Sequence, residues 1–264
     1  MDGAPYEVVA IRYATRPARK SELYYRYGSY GEPDAESVMD YYFWVLRRGG
    51  ETILVDTGFD PAGGGARRNR TCLRTPVEAL ADLGIEPAAV AKIVVTHFHY
   101  DHIGNLSAFP DAELIVPRRE LEFWTGPLAS RYHYAWHVEQ GEVAWILDRQ
   151  RQGAVTITDG TEEILDGVTA ISVGGHSPGQ QVTVVRSASG DVVLASDAAH
   201  YDEELELDRP FAVMSDLGEM YAAFDLLREL AAAPGAKLVA GHEPSVLGRY
   251  PRVDESNPNA VRIA

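Results

Sequence analysis

The chain has 264 residues, with 24 lysines and arginines against 39 aspartates and glutamates, a formal charge of −15, one cysteine and 45% apolar residues. That length suits one domain with a large core, and the apolar fraction is ordinary for a soluble globular protein. So acidic a surface repels phosphate backbones and excludes nucleic acid as a partner. No run of about 18 apolar residues exists to span a membrane, and Cys72 alone forbids an internal disulfide and suits a reducing cytoplasm.

The N-terminus, MDGAPYEVVAIRY, starts acidic and lacks an apolar h-region, so no signal peptide is expected. Residues 7–13 read as a first strand. Residues 20–37 are polar and hold Tyr24, Tyr25, Tyr27 and Tyr30. Such a loop either lines a binding mouth or covers the domain edge, because tyrosine joins apolar area to a polar tip. Residues 40–47 and 52–56 are two strands joined by Arg48-Gly49-Gly50-Glu51, a hairpin signal. The second runs into Asp56-Thr57-Gly58. Residues 61–74, rich in glycine and arginine, read as a mobile loop. Their glycines have no lysine-serine pair after them and so form no phosphate cradle. A helix then starts with Thr75 as N-cap, Pro76 at its first position and Glu78 closing a capping box, and Gly84 stops it.

Residues 93–95 are a short apolar run of the kind found in a buried strand. It ends at Thr96, and His97, His99, Asp101 and His102 follow, with Gly104 close behind. Three imidazoles and a carboxylate so close together are a metal-ligand inventory. In extended chain, positions i and i+2 point to one side, so His97 and His99 can share an ion. Asp101 and His102 lie where the chain turns and can face a second. A helical HExxH site is ruled out by the spacing.

Residues 113–116 read as a strand and 118–124 as a short helix. A helical insert, about 118–152 with that helix included, carries Tyr132, Tyr134, Trp136 and Trp145 and is expected to form a lid. Its His133 and His137 stand at i, i+4 without further ligands and are assigned to surface or packing. Residues 155–158, 168–173, 181–186 and 191–195 read as strands separated by turns. His176 follows the second of them, in Gly174-Gly175-His176-Ser177-Pro178-Gly179, and Asp197 follows the fourth. Residues 215–233 form a helix with Ser215 as N-cap. Residues 237–240 are the last strand, followed at once by Gly241-His242. The tail from Tyr250 is proline-rich and polar and is expected to be loosely held.

The pattern H-x-H-x-D-H after an apolar strand resembles the metallo-β-lactamase superfamily. The resemblance implies an α/β fold, a four-layer αββα sandwich formed by one domain over residues 1–264. It also implies the ligand set: His97, His99 and His176 for one metal, Asp101, His102 and His242 for the other, and Asp197 bridging both. Asp56 would orient the histidines from behind. The GHSPG-type loop, an aspartate followed by small residues and a final glycine-histidine are most similar to the N-acyl-homoserine lactonase group. That similarity implies two divalent ions, usually zinc, and a small-molecule lactone or ester substrate. It implies ring opening by a hydroxide bridging the ions, with Asp101 passing a proton to the leaving oxygen. Quorum quenching is the biology that goes with it.

One position departs from the group. Well-known members have a tyrosine three residues after the bridging aspartate, where this chain has His200, with Tyr201 next. An imidazole can donate the same hydrogen bond to a substrate carbonyl, and the alternative is a packed, non-catalytic histidine. The main rival is a glyoxalase II-like thioesterase, which shares the whole ligand set and would need basic residues for anionic glutathione; Arg249, Arg252 and Arg262 are the tail's candidates. Cysteine-ligated β-lactamases need a thiolate after the third histidine, and Cys72 precedes them all. Flavodiiron reductases carry a glutamate where His99 stands. A non-enzymatic alternative is a metal-bearing lactone sensor, although a sensor has no need of Asp101. An exposed apolar face on the insert would favour a homodimer.

Overall fold

Alternation of apolar side chains with period two builds two sheets that share a face. The computed structural model describes residues 3–264. Its strands are β1 (Glu7–Arg19), β2 (Glu36–Arg48), β3 (Glu51–Val55), β4 (Thr71–Cys72), β5 (Val90–Val94), β6 (Glu113–Pro117), β7 (Val155–Thr158), β8 (Thr161–Leu165), β9 (Val168–Ser172), β10 (Gln181–Ser187), β11 (Gly190–Ser196), β12 (Lys237–Ala240) and β13 (Ala260–Arg262). The first sheet runs β13-β1-β2-β3-β5-β6-β7, with β4 added against β1, and the second runs β12-β11-β10-β9-β8. β1, β2 and β3 are antiparallel neighbours, whereas β3, β5, β6 and β7 are parallel. Parallel pairing needs crossovers. These are α2 (Pro76–Ala81) before β5, α3 (Tyr100–Ile103) before β6, and α4 (Arg118–Trp124), α5 (Tyr132–Ala135) and α6 (Gln140–Arg151) before β7; α1 (Lys20–Leu23) only turns the chain after β1. In the second half, α7 (Asp202–Leu207) and α8 (Leu217–Ala231) lead into β12, and α9 (Val246–Arg249) follows it.

Tyr42, Trp44 and Leu46 of β2 face inward with Val8 and Ala10 of β1, and meet Val185, Val192, Leu194 and Val239 of the second sheet. The intervening Tyr41, Phe43 and Val45 face the other way, towards Leu80 of α2 and Val143 and Ile146 of α6. On the far side, Val182, Val193 and Ala195 pack under Met220, Phe224 and Leu227 of α8. The layers are therefore helix, sheet, sheet, helix, the αββα sandwich expected.

Several local expectations are corrected. Residues 161–165 form β8, an edge strand paired only with β9; its two glutamates and half-exposed pattern hide the alternation that marks a strand. The tail is not loose: β13 pairs with β1, and Val261 and Ile263 are buried between the sheets. Three residues are too few for a periodic signal, and the pairing partner lies some 250 positions away. The cap of α8 is Asp216, whose side chain accepts from the Glu219 amide at 2.8 Å; Ser215 instead donates its hydroxyl to the Gly175 carbonyl beside His176. Residues 61–74 are structured, with a π-helical turn at Pro61–Gly65 and β4 paired to β1. In the tyrosine-rich segment, Tyr24 and Tyr27 are buried in the core, so it covers the edge of the domain. Thr75 and Glu78 make the reciprocal capping box expected of them.

α6 carries a titratable strain. Burial pushes the Glu142 carboxyl up to about 7, and Asp60 and Glu139 add to it. The folded chain therefore keeps a proton that the unfolded chain releases between 4.5 and about 7, so stability falls as pH rises through that window and stays low above it. Glu142→Gln is expected to raise the urea midpoint at about pH 8 and to change it far less at about pH 5. An equal gain at both pH values would assign the effect to packing.

Candidate metal centre

β5 lies between β3 and β6, so its C-terminal end opens at the middle of the first sheet. The chain leaves it through Val95 and Thr96 and delivers His97 and His99, and α3 then delivers Asp101 and His102. The loop between β9 and β10 brings His176, the end of β11 brings Asp197, and the end of β12 brings His242. All seven are buried. The ligand-type atoms of His97, His99 and His176 lie within 4.8 Å of one another, as do those of Asp101, His102 and His242. Asp197 stands between these sets. Its Oδ1 is 3.2 Å from both His102 Nε2 and His242 Nε2, and its Oδ2 is 3.2 Å from His176 Nε2 and 3.8 Å from His97 Nε2. The structure thus brings together every expected ligand.

Supporting contacts set each ring. Asp56 takes a left-handed backbone, φ 63°, at the end of β3, a conformation aspartate tolerates better than most residues. Its Oδ1 accepts from the Thr96 amide at 2.8 Å, while Oδ2 accepts from the Thr96 hydroxyl at 2.8 Å and lies 2.7 Å from His102 Nδ1. His242 Nδ1 lies 2.7 Å from the Asp40 carbonyl and His176 Nδ1 2.9 Å from that of Val213. In each of the three rings Nε2 is thereby turned inward.

Electrostatics hold His97, His99 and His176 in the ligating form, and His102 in the opposite sense. Burial, and then the neighbouring imidazoles, hold His97 and His99 well below the usual histidine range; burial does the same for His176. Neutral imidazole is the ligating form. Burial also opposes a cation at His102, but Asp197 and Asp56 outweigh it and push that group up. Asp197 is held well below the carboxylate range because its surrounding histidines outweigh the effect of burial. His97 Nε2, His102 Nε2 and Asp197 Oδ1 are buried with no hydrogen-bond partner. Each such group costs about 1–3 kcal/mol in a protein interior, a cost that divalent cations held by these residues would remove. The nitrogen and carboxylate donors fit such an ion.

His200 lies under Phe211, ring to ring at 3.7 Å, and is fully buried. Its Nε2 is 3.1 Å from Asp197 Oδ2 and its Nδ1 3.2 Å from Glu204 Oε1. Burial opposes its cation, yet these two carboxylates push it up to about 9. It does not line the cleft over the cluster, whereas Asp101, His99, His176, Trp136 and His137 do. That cleft opens to solvent and has a volume of about 100 Å³. His133 is exposed, and neither it nor His137 joins a ligand set among the described residues.

Sequence reasoning missed Glu120. This fully buried carboxylate accepts from the Phe98 amide at 2.7 Å, the Trp124 indole at 2.8 Å, the Ser177 hydroxyl at 2.6 Å and the Gly179 amide at 2.7 Å. It ties the segment of His97 and His99 to the loop of His176. Gly179 is required there, since a Cβ would lie 2.2 Å from the Glu120 nitrogen. Nothing around Glu120 in the sequence marks it, because it sits inside an ordinary amphipathic helix.

The αββα sandwich, with histidine and aspartate donors gathered at its strand ends, defines a class, and comparison identifies it: the chain belongs to the metallo-β-lactamase superfamily, whose family model matches residues 39–242. It is similar to the N-acyl homoserine lactonase AttM of Azorhizobium caulinodans, at 29% identity over 77% of this chain and 81% of that one. It is also similar to the AttM lactonase of Rhizobium johnstonii, at 27% over 84% and 83%. Among solved structures, a quorum-quenching N-acyl homoserine lactone lactonase superposes with a TM-score of 0.76 at 24% identity, covering 93% of this chain and 95% of the other.

Asp56 supplies one test of the centre. Asp56→Asn keeps a residue suited to positive φ but sets an amide where His102 Nδ1 meets a carboxylate. Metal affinity is expected to fall about 10–100-fold, measured by competition with a chromogenic chelator. Unchanged affinity would remove Asp56 from the support of His102.

Proposed function

We propose that this chain is a dinuclear metal hydrolase that opens a lactone ring, of the N-acyl-homoserine lactonase type. The observation that carries the reading is the convergence of His97, His99, Asp101, His102, His176 and His242 around Asp197, in a chain whose relatives are lactonases by name. In this reading His97, His99 and His176 hold one cation, Asp101, His102 and His242 hold the other, and Asp197 serves both. Zinc suits these donors. Bound there, two such cations supply Lewis acidity and a nucleophile at neutral pH. Asp101 lines the cleft and takes a proton to the leaving oxygen. His200, clamped between Asp197 and Glu204, holds the shared carboxylate in place. That position favours a role through Asp197 over direct contact with the substrate carbonyl.

The helical insert is the lid of this reading, since Trp136 and His137 border the cleft. Leu128, Tyr132 and Trp136 are exposed on it and offer a surface for a second copy. No helix among the described residues is long and apolar enough to cross a membrane. A cytoplasmic location fits the single free cysteine. The thioesterase alternative loses its basic tail: Arg249 pairs with Asp202 and Arg262 with Glu7, Arg252 donates to the Glu255 carbonyl, and none of the three lines the cleft.

A pH-indicator assay on metal-analysed protein tests the reading, with short- and long-chain acyl-homoserine lactones, a simple γ-lactone and S-lactoylglutathione. Opening of the homoserine lactones with about two metals per chain is the expected result. Activity confined to the thioester would transfer the assignment to the glyoxalase II-like alternative. Metal without turnover of any lactone or thioester would favour a sensor.

A further inference from the structure

Three arginines line the cleft, Arg16, Arg68 and Arg70, against one carboxylate outside the metal cluster, Glu22. Arg68 has a carboxylate partner and engages both terminal nitrogens, with only its Nε left without a hydrogen bond. Its guanidinium is 2.7 Å from Glu139, donates to the Gly64 carbonyl at 3.1 Å and to the Trp136 carbonyl, and lies 3.9 Å over the Tyr100 ring. It fastens residues 64–68 to the insert.

The other two differ. Arg70 donates to the Tyr100 hydroxyl at 3.0 Å and to the Arg68 carbonyl at 2.7 Å, both neutral partners. Among the described residues no carboxylate stands within ion-pair distance of it. Arg16 pairs at 3.3 Å with Glu22, which lines the same cleft, and donates to the Pro17 carbonyl at 3.4 Å, while its buried Nε has no hydrogen-bond partner. The remaining carboxylates of the cleft, Asp101 and Asp197, belong to the metal cluster. A partly desolvated guanidinium without a counter-ion is unfavourable, and its fork of donors matches a carboxylate. In a chain of formal charge −15, Arg70 without a counter-ion, beside an Arg16 that shares only Glu22, concentrates an anion that bulk charge would repel.

The open side of the cleft places that anion. The cleft opens to solvent, so a substrate with its ring at the metal cluster extends outward along the lining that holds Arg16 and Arg70. We infer that Arg16 and Arg70 form a carboxylate subsite, and that the preferred substrate is a lactone or ester bearing a carboxylate on the part that projects from the cleft. This rests on the hydrolase reading above and narrows its substrate class.

The test compares two lactones of equal chain length on the zinc-loaded enzyme: N-hexanoyl-homoserine lactone, which is neutral, and N-adipoyl-homoserine lactone, which ends in a carboxylate. The wild type is expected to favour the carboxylated lactone in kcat/KM by about tenfold or more, through KM, and sodium chloride is expected to erode the preference. In Arg70→Gln, and separately in Arg16→Gln, the ratio of the two kcat/KM values should collapse towards one. Arg252→Gln, which removes a charge outside the cleft, should leave the ratio as it was. Equal kcat/KM for the two lactones in the wild type, or a preference that survives both cleft variants, would overturn the subsite. If neither lactone opens, the hydrolase reading fails and the subsite is read by calorimetry with adipic acid monoamide and hexanamide. Binding of the monoamide alone, lost in Arg70→Gln, would sustain the subsite; equal or absent binding would end it.

Discussion

Exchanging Asp101 for asparagine is expected to lower kcat by about two to four orders of magnitude while most of the bound metal remains. Asp101 lies in the first turn of a short helix and is buried, yet its side chain borders the cleft. Its backbone is fixed from behind, since the Tyr13 hydroxyl donates to the Asp101 carbonyl at 2.9 Å. Asparagine therefore keeps the position and one ligating oxygen. What it loses is the ability to take up a proton and pass it on, and ring opening needs that step because an alkoxide is a poor leaving group. Indicator kinetics and metal analysis on the same sample separate the two roles. A normal rate with two ions bound would remove Asp101 from proton transfer. Parallel loss of metal and rate would make it a ligand only.

The second large effect is expected at Glu120, which touches no ligand. Its four donors come from three places: the backbone between His97 and His99, the indole of α4, and the loop after His176. Burial pushes this carboxyl up and the four donors pull it back. In Glu120→Gln one oxygen becomes an amide nitrogen whose hydrogens confront donors. A loss of about 2–4 kcal/mol of stability is expected, together with about 10–100-fold in metal affinity. Urea unfolding and chelator competition read these separately. Destabilisation with unaltered affinity would make Glu120 a structural residue of the core; weakened affinity in protein that remains folded at the assay temperature would confirm that it positions the first ligand set.

These two residues differ in how far they could be read in advance. Asp101 announces itself, because alternation in extended chain puts His97 and His99 on one side and leaves Asp101 and His102 at the turn. Glu120 sits in a helix whose existence was plain, Arg118–Trp124, but nothing local says that its carboxylate is buried against two loops. The same division runs through the fold. Tyr42, Trp44 and Leu46 against Tyr41, Phe43 and Val45 make β2 legible as a strand buried on both faces. β8 and β13 escaped because an edge strand and a three-residue strand carry little periodicity.

Sequence alone determined the local matters: strand and helix identity where the apolar period was strong, the capping box at Thr75, the cluster of His97, His99, Asp101 and His102, and, through its motif, the family. Only the tertiary structure decided which distant groups share space. It put His200 beneath Phe211 and against Asp197, turned Asp56 towards His102, packed Glu120 between two ligand loops, and left Arg16 and Arg70 facing the cleft with little anionic company. Local signals come from steric and apolar preferences within a few residues, whereas burial, charge pairing and ligand geometry arise between segments a hundred or more positions apart, where neighbours in sequence carry no record of them.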